Sequence, residues 1–280
     1  MKPIAFFCLA LLTACMNGSH TNPENTFTEL QFAHPESVVE FESGYLVSNL
    51  GYELSPTAKD GDGFILKCNS LGIPQQVFAP QIKLNAPKGM KVHQGILFLT
   101  DVDRFLAIDL TTQELVKNWD LSSTGGLFFN DPEWVGDRFW ISATDLNTIY
   151  SIHPDSSRIQ KIEFKQPFFG PNGLAYDSNS QVVYVAEWGT GEPNGRLLKI
   201  YLNQDNAIEI LGDFTGHLDG LQMDEASNCV FSDWNSGKIF RHQDGKSTAI
   251  TDSLGGPADF ILSRKHLIIP CMMENQIMIR

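Results

Sequence analysis

Neither Gly-x-Ser-x-Gly nor His-Glu-x-x-His occurs in the 280 residues. The chain therefore offers no serine-hydrolase elbow and no zincin helix. Gly189-Thr190-Gly191 is followed by Pro193 rather than a helix, so it reads as an inter-strand loop and not a dinucleotide site. Asp60-Gly61-Asp62-Gly63 lacks the alternating ligands and distant Glu of an EF-hand, and reads as a turn. Beyond the first fifteen residues no long segment of helical period appears. Basic residues are few, 20 Lys and Arg against 33 Asp and Glu. The formal net charge of −13 argues against nucleic-acid backbones and against charge-driven adhesion to anionic lipid, while being compatible with a cation site. Cysteine is scarce. Cys68, Cys229 and Cys271 sit at no metal-ligand spacing and read as buried thiols, with one disulfide among them left open.

The first fifteen residues stand apart. Lys2 precedes an apolar stretch, Ile4 to Leu12, that is too short to span a bilayer as a mature helix. Leu12-Thr13-Ala14-Cys15 resembles the lipobox of bacterial lipoprotein signal peptides, which implies acylation at Cys15, export, and a membrane anchor through the N-terminal lipid alone. An ordinary secretory signal with an incidental Cys is the other reading. Met16 is not the Asp that can retain lipoproteins at the inner membrane, so periplasm and outer membrane both stay open. Residues 16–25, including Asn17 to Asn25, read as a flexible tether, and residues 26–280 as the folded domain.

What the chain has in quantity is turns and short apolar strands. With 23 Gly, 14 Pro and 11% aromatics, the profile is that of an all-β protein. Six segments share a plan of polar or Gly-rich entry, apolar strand, turn and further strands. They begin at Glu36, near Lys88, at Asn130, Asn172 and Asp219, and near Gly256-Pro257-Ala258-Asp259. Asn172 lies 42 residues after Asn130, and Asp219 lies 47 after Asn172. Such periods predict a six-bladed β-propeller; a pair of β-sandwiches is the rival fold. The last repeat lacks an outer strand, and Thr26 to Phe32 is expected to pair with it and close the ring.

In a propeller the entries of the innermost strands ring one mouth of the central channel. Glu36, Asn130, Asn172 and Asp219 hold that place. Two carboxylates and two amides, with no His or thiolate, suit a hard divalent cation: Ca²⁺ first, with Mg²⁺ or Mn²⁺ open. Gly173 and Gly220 would let the backbone turn sharply beside two of them.

Pro35-Glu36-Ser37-Val38, Phe129-Asn130-Asp131, Pro171-Asn172-Gly173-Leu174 and Leu218-Asp219-Gly220-Leu221 together resemble the motifs of the regucalcin/gluconolactonase family of six-bladed propellers. The resemblance covers roughly Glu36 to Arg280. It implies Glu36, Asn172 and Asp219 as metal ligands, Asp219 also as the catalytic base, and Asn130 as a residue lining the substrate site. The implied reaction is metal-assisted hydrolysis of a small ester or lactone. Family lactonases usually carry Arg where this chain has Phe128, and the first motif lacks its Pro and Trp. The metal site is kept and the sugar wall changed, so a more apolar ligand is expected, with Phe128 and His217 as further substrate contacts. A non-catalytic propeller that binds a ligand or protein at the same mouth is the alternative, and a metal-free scaffold a third. His34 and His217 neighbour proposed ligands but read equally as loop residues. Trp188 and Trp234, at matching places in two repeats, read as packing between blades, or else as an aromatic rim.

Overall fold

A computed structural model describes residues 30–263 and 266–280. The signal segment, Cys15 and the tether lie outside the described residues. Six antiparallel sheets follow one another along the chain, five of four strands and one of three. Their inner strands are Pro35–Phe41, Pro87–His93, Phe129–Val135, Pro171–Asp177, Leu218–Met223 and Ile261–Leu262, here blades I to VI. The ring closes where Ser37 bridges Asp259 in parallel and the Asp259 N–H donates to the Glu36 carbonyl at 2.9 Å. This is the six-bladed propeller that the repeats predict.

The ring is held by apolar packing between blades. Successive residues of a strand point to opposite faces of its sheet, and here both faces are covered. Leu46 packs with Val39, Ile65, Leu97 and Leu106 between blades I and II. Its neighbour Val47 packs with Val38, Leu66 and Ile268 between blades I and VI. Equivalent clusters fill the II–III, III–IV, IV–V and V–VI contacts. That double burial is why the middle strands read as near-continuous apolar runs, such as Val182 to Ala186 within Val182–Glu187.

One expectation is corrected. Leu30 to Phe32 form no strand, and among the described residues blade VI has three strands, all from the C-terminal segment; Thr26 to Glu29 lie outside the described residues. Phe32 instead packs its ring against the cluster between blades VI and I, so its apolar character serves packing rather than sheet pairing. Cys68, Cys229 and Cys271 are buried and free, and burial pushes their thiols up to about 12, 12 and 11.

Candidate functional site

Each of the first five inner strands starts with a bulge. In blade I Pro35 pairs with Asn49 and Val38 with Val47, so Glu36 and Ser37 together oppose Ser48. The same two-against-one arrangement recurs at Lys88-Gly89, Asn130-Asp131, Asn172-Gly173 and Asp219-Gly220. A bulge re-aims side chains locally. Here the first bulged residue of every blade, Glu36, Lys88, Asn130, Asn172 and Asp219, is buried and lines one cavity of about 230 Å³.

Hydroxyls hold the bulges. The Ser48, Ser142 and Ser232 Oγ atoms accept the N–H groups of Ser37, Asp131 and Gly220 at 2.9, 2.9 and 2.8 Å. The same Ser48 and Ser232 hydroxyls donate to the carbonyls of Lys88 and Ala258, each in the following blade, at 3.0 and 3.1 Å. Thr100 does this for Asn130. One residue further along, Asn49, Asp101, Glu187 and Asp233 accept N–H groups of the entry loops of their own blades at 2.9, 2.8, 2.7 and 2.9 Å. The ring residues thus sit on a preorganised backbone.

The glycines act differently from the sequence expectation. Gly173 and Gly220 are not in the left-handed region. A Cβ on Gly173 would meet the Asp219 carbonyl oxygen at 2.3 Å, and one on Gly220 the Asp259 Cα at 2.7 Å. They are small because the next inner strand passes against them.

Five of the sequence-predicted site residues, Glu36, Asn130, Asn172, Asp219 and Phe128, share the cavity. His217 is not among its lining residues. Its ring stacks on Trp188 at 4.8 Å and its Nδ1 meets the Trp188 carbonyl at 2.8 Å, so it stands behind a wall residue. His34 likewise turns to the Gly51 carbonyl, at 2.9 Å. Trp188 and Trp234 face the cavity, which favours the aromatic rim over packing between blades; with Leu50, Leu54, Pro56, Phe128 and Met272 they make apolar walls above a polar floor. Lys88 escaped sequence reasoning. The signal was its register, since Pro87-Lys88-Gly89-Met90 aligns with Pro35-Glu36-Ser37-Val38, but a basic residue does not suggest a cation site. The supporting hydroxyls were legible too, as the Ser or Thr closing Leu46-Val47-Ser48, Phe231-Ser232 and Leu99-Thr100.

The floor is electrostatically loaded. Burial, then the neighbouring Asp219 and Asp259, hold Glu36 well above the usual carboxylate range, with Lys88 pulling the other way. Burial and Asp259 push Asp219 up to about 8. The Trp234 indole and the Asn172 amide lie beside Asp219 and oppose that shift, yet Asp219 Oδ1 and Trp234 Nε1 both remain without a hydrogen-bond partner. Below the mouth, burial raises Asp259 to about 7 and Asp131 well above its ordinary value. Burial lowers Lys88 to about 8, against the pull of Asp101 and Glu36.

Glu36 Oε2, Asn130 Oδ1, Asn172 Oδ1 and Asp219 Oδ1 are all buried without a hydrogen-bond partner. Buried polar atoms are almost always partnered, so four orphans around one cavity mark a place for an electrophilic guest. Among the described residues no group of three His, Cys, Asp or Glu is placed to hold a metal; the oxygens here come from two carboxylates and two amides, a hard donor set of the kind that fits Ca²⁺.

No protein-family model matches the chain, and no curated protein matches it. Solved structures do. A gluconolactonase from Xanthomonas campestris superposes with a TM-score of 0.66 at 14% identity, covering 89% of this chain and 86% of that one. A catalytically inactive virginiamycin B lyase from Staphylococcus aureus with quinupristin gives 0.60 at 15% identity, over 92% and 96%. A chain of a nidogen/laminin complex gives 0.62 at 15%, over 76% and 82%. The chain is thus similar to gluconolactonase-like propellers in fold. A gluconolactonase, a virginiamycin B lyase and a chain of a nidogen/laminin complex share that fold, so activity has to be argued from the site.

Proposed function

We propose that this chain is an exported, divalent-metal-dependent hydrolase of the lactonase or esterase type, with Ca²⁺ as its ion. The observation that carries the reading is the set of four orphaned buried oxygens around one cavity. Glu36, Asn172 and Asp219 would hold the cation, and Asn130 would orient the substrate. A bound cation supplies the charge that polarises an ester carbonyl. Asp219 takes a proton from the attacking water, and the proton passes to the leaving alkoxide as the acyl C–O bond breaks. The apolar walls favour a substrate without a polyol face, because sugar hydroxyls against Leu50, Phe128 and Met272 would lose water without gaining partners. Export rests on the lipobox-like Leu12-Thr13-Ala14-Cys15.

Elemental analysis of the purified protein and a lactone panel test this. Near-stoichiometric calcium and turnover reduced about 10²- to 10⁴-fold in Asp219→Ala are expected; equal turnover by both proteins removes Asp219 from the chemistry. The second reading is a binding propeller, favoured by Phe128 and the apolar rim. Bound metal with no turnover on any ester would select it.

A further inference from the structure

Lys88 is fully buried at the blade II place of the ring. In a ring of six blades that place faces blade V, which carries Asp219, across the axis. Its Nζ donates to the Ala86 carbonyl at 2.9 Å and lies 5.4 Å from the centre of the Phe128 ring. Among the described residues it forms no ion pair, unlike Lys59, Lys67, Lys91 and Lys165. An ammonium carries three donors; one goes to the Ala86 carbonyl, no second oxygen acceptor of the described residues lies within hydrogen-bond distance, and Lys88 lines the cavity. Burying a charge with its donors unfilled is costly. The cavity's guest is the acceptor within reach.

We propose that Lys88 binds the carbonyl oxygen of the ligand, making this a receptor for small apolar acyl compounds such as unsubstituted lactones and simple esters. The inference deepens the hydrolase reading and rests on it for the acyl chemistry, not for the binding. The carbonyl oxygen accepts from Nζ, and the hydrocarbon part lies against Phe128, Trp188 and Trp234. A cavity of about 230 Å³ limits the guest to a small ring or short chain. A carbonyl oxygen held by that ammonium would be bound more tightly as it gains negative charge on attack by water.

The test separates the carbonyl contact from shape. Binding of δ-valerolactam, a carbonyl ring that resists hydrolysis, is compared with that of tetrahydropyran, a ring of similar size without the carbonyl, by ligand-observed NMR titration of the full chain in EDTA, where no cation competes for the carbonyl oxygen. In the wild type the lactam is expected to bind about 10- to 100-fold tighter, the range for a hydrogen bond to a charged donor. In Lys88→Met the preference falls to about twofold or less, while Lys88→Gln, which keeps an N–H, restores part of it. A wild type without the preference, or a Lys88→Met protein that keeps it, overturns the proposal. If Lys88→Met does not fold, Lys88→Leu and the wild-type preference decide instead. Loss of calcium binding by the wild type would sink the hydrolase reading and leave this ratio measurable in the metal-free protein.

Discussion

Stripping divalent cations from this protein should invert the usual pH dependence of stability. Acid ordinarily destabilises proteins because their carboxylates are favoured charged in the native state. Here the buried floor does the reverse. Asp219 is raised from 3.8 to about 8 and Asp259 from 3.8 to about 7, so between pH 5 and 7 the native state holds two protons that the unfolded chain has released. A state that binds more protons loses stability as pH rises. At 1.36 kcal/mol per unit per group, two groups over two units give an upper figure of about 5 kcal/mol. Coupling between neighbouring acids brings this to about 2–3 kcal/mol. Lys88, lowered from 10.5 to about 8, has the opposite sign, because its unfolded form keeps a proton that the native form loses. Above pH 9 the buried thiols of Cys68, Cys229 and Cys271, raised from 9.0, keep protons that the unfolded chain releases and oppose that gain. Outer carboxylates held low, such as Asp177 by its Ser180 hydrogen bond, act only at more acid pH. Urea unfolding in EDTA should therefore show stability falling from pH 5 to pH 7. Millimolar Ca²⁺ should offset that loss, because the cation favours the deprotonated acids and binding releases their protons. A curve that is flat or rising from pH 5 to 7 in EDTA would refute the electrostatic account of the floor.

Three further outcomes follow from the backbone around the site. Gly173→Ala places a Cβ 2.3 Å from the Asp219 carbonyl oxygen, so blade V must move; a loss of about 1–3 kcal/mol in urea unfolding is expected, together with weaker Ca²⁺ binding. Ser232→Ala orphans the Gly220 N–H and the Ala258 carbonyl, at a cost of about 1–3 kcal/mol by the same assay. Trp188→Ala removes the ring on which His217 stacks and opens one wall; calorimetric Ca²⁺ affinity should hold while affinity for apolar lactones falls at least tenfold.

Much of the fold was legible because a propeller repeats. The period between Asn130, Asn172 and Asp219 is a local count that survives without any knowledge of packing, and a Ser or Thr, at Ser48, Thr100, Ser142 and Ser232, marks the same place in four of the blades. What the sequence hid is tertiary. Thr26 to Phe32 reads like a strand, but an apolar residue serves equally to pack a chain against a blade edge, as Phe32, at its described end, does. Pro-Asn-Gly looks like a turn because Asn and Gly suit turns; in this fold the glycine is dictated by a neighbouring strand about 45 residues away, which no local pattern reveals. His217 sits two residues before Asp219 but outside strand Leu218–Met223, so strand alternation does not set its side; its ring stacks on Trp188 and its Nδ1 meets the Trp188 carbonyl.

Lys88 is the residue on which the two functional readings part. A site built for a cation alone would not be expected to place an ammonium in the same ring, since it repels the ion and must itself be desolvated. A site built for an anion alone would not place Glu36 and Asp219 there. Both charges together suit a guest that is neutral overall but polarised, with an oxygen for the positive groups and an electrophilic carbon within reach of the base. An ester or lactone carbonyl has that distribution, and few small apolar molecules do. The same pairing explains why the floor tolerates its acids: Lys88 opposes the rise at Glu36, and Glu36 in turn helps to keep Lys88 charged. Removing either charge alone should therefore damage the site more than removing both. Glu36→Gln combined with Lys88→Met is expected to be more stable in EDTA at pH 7 than Lys88→Met alone, with a coupling in the full cycle of about 1 kcal/mol or more, in the range for residues that share a cavity. Additive losses in that cycle would mean that the two side chains share a cavity without sharing a field.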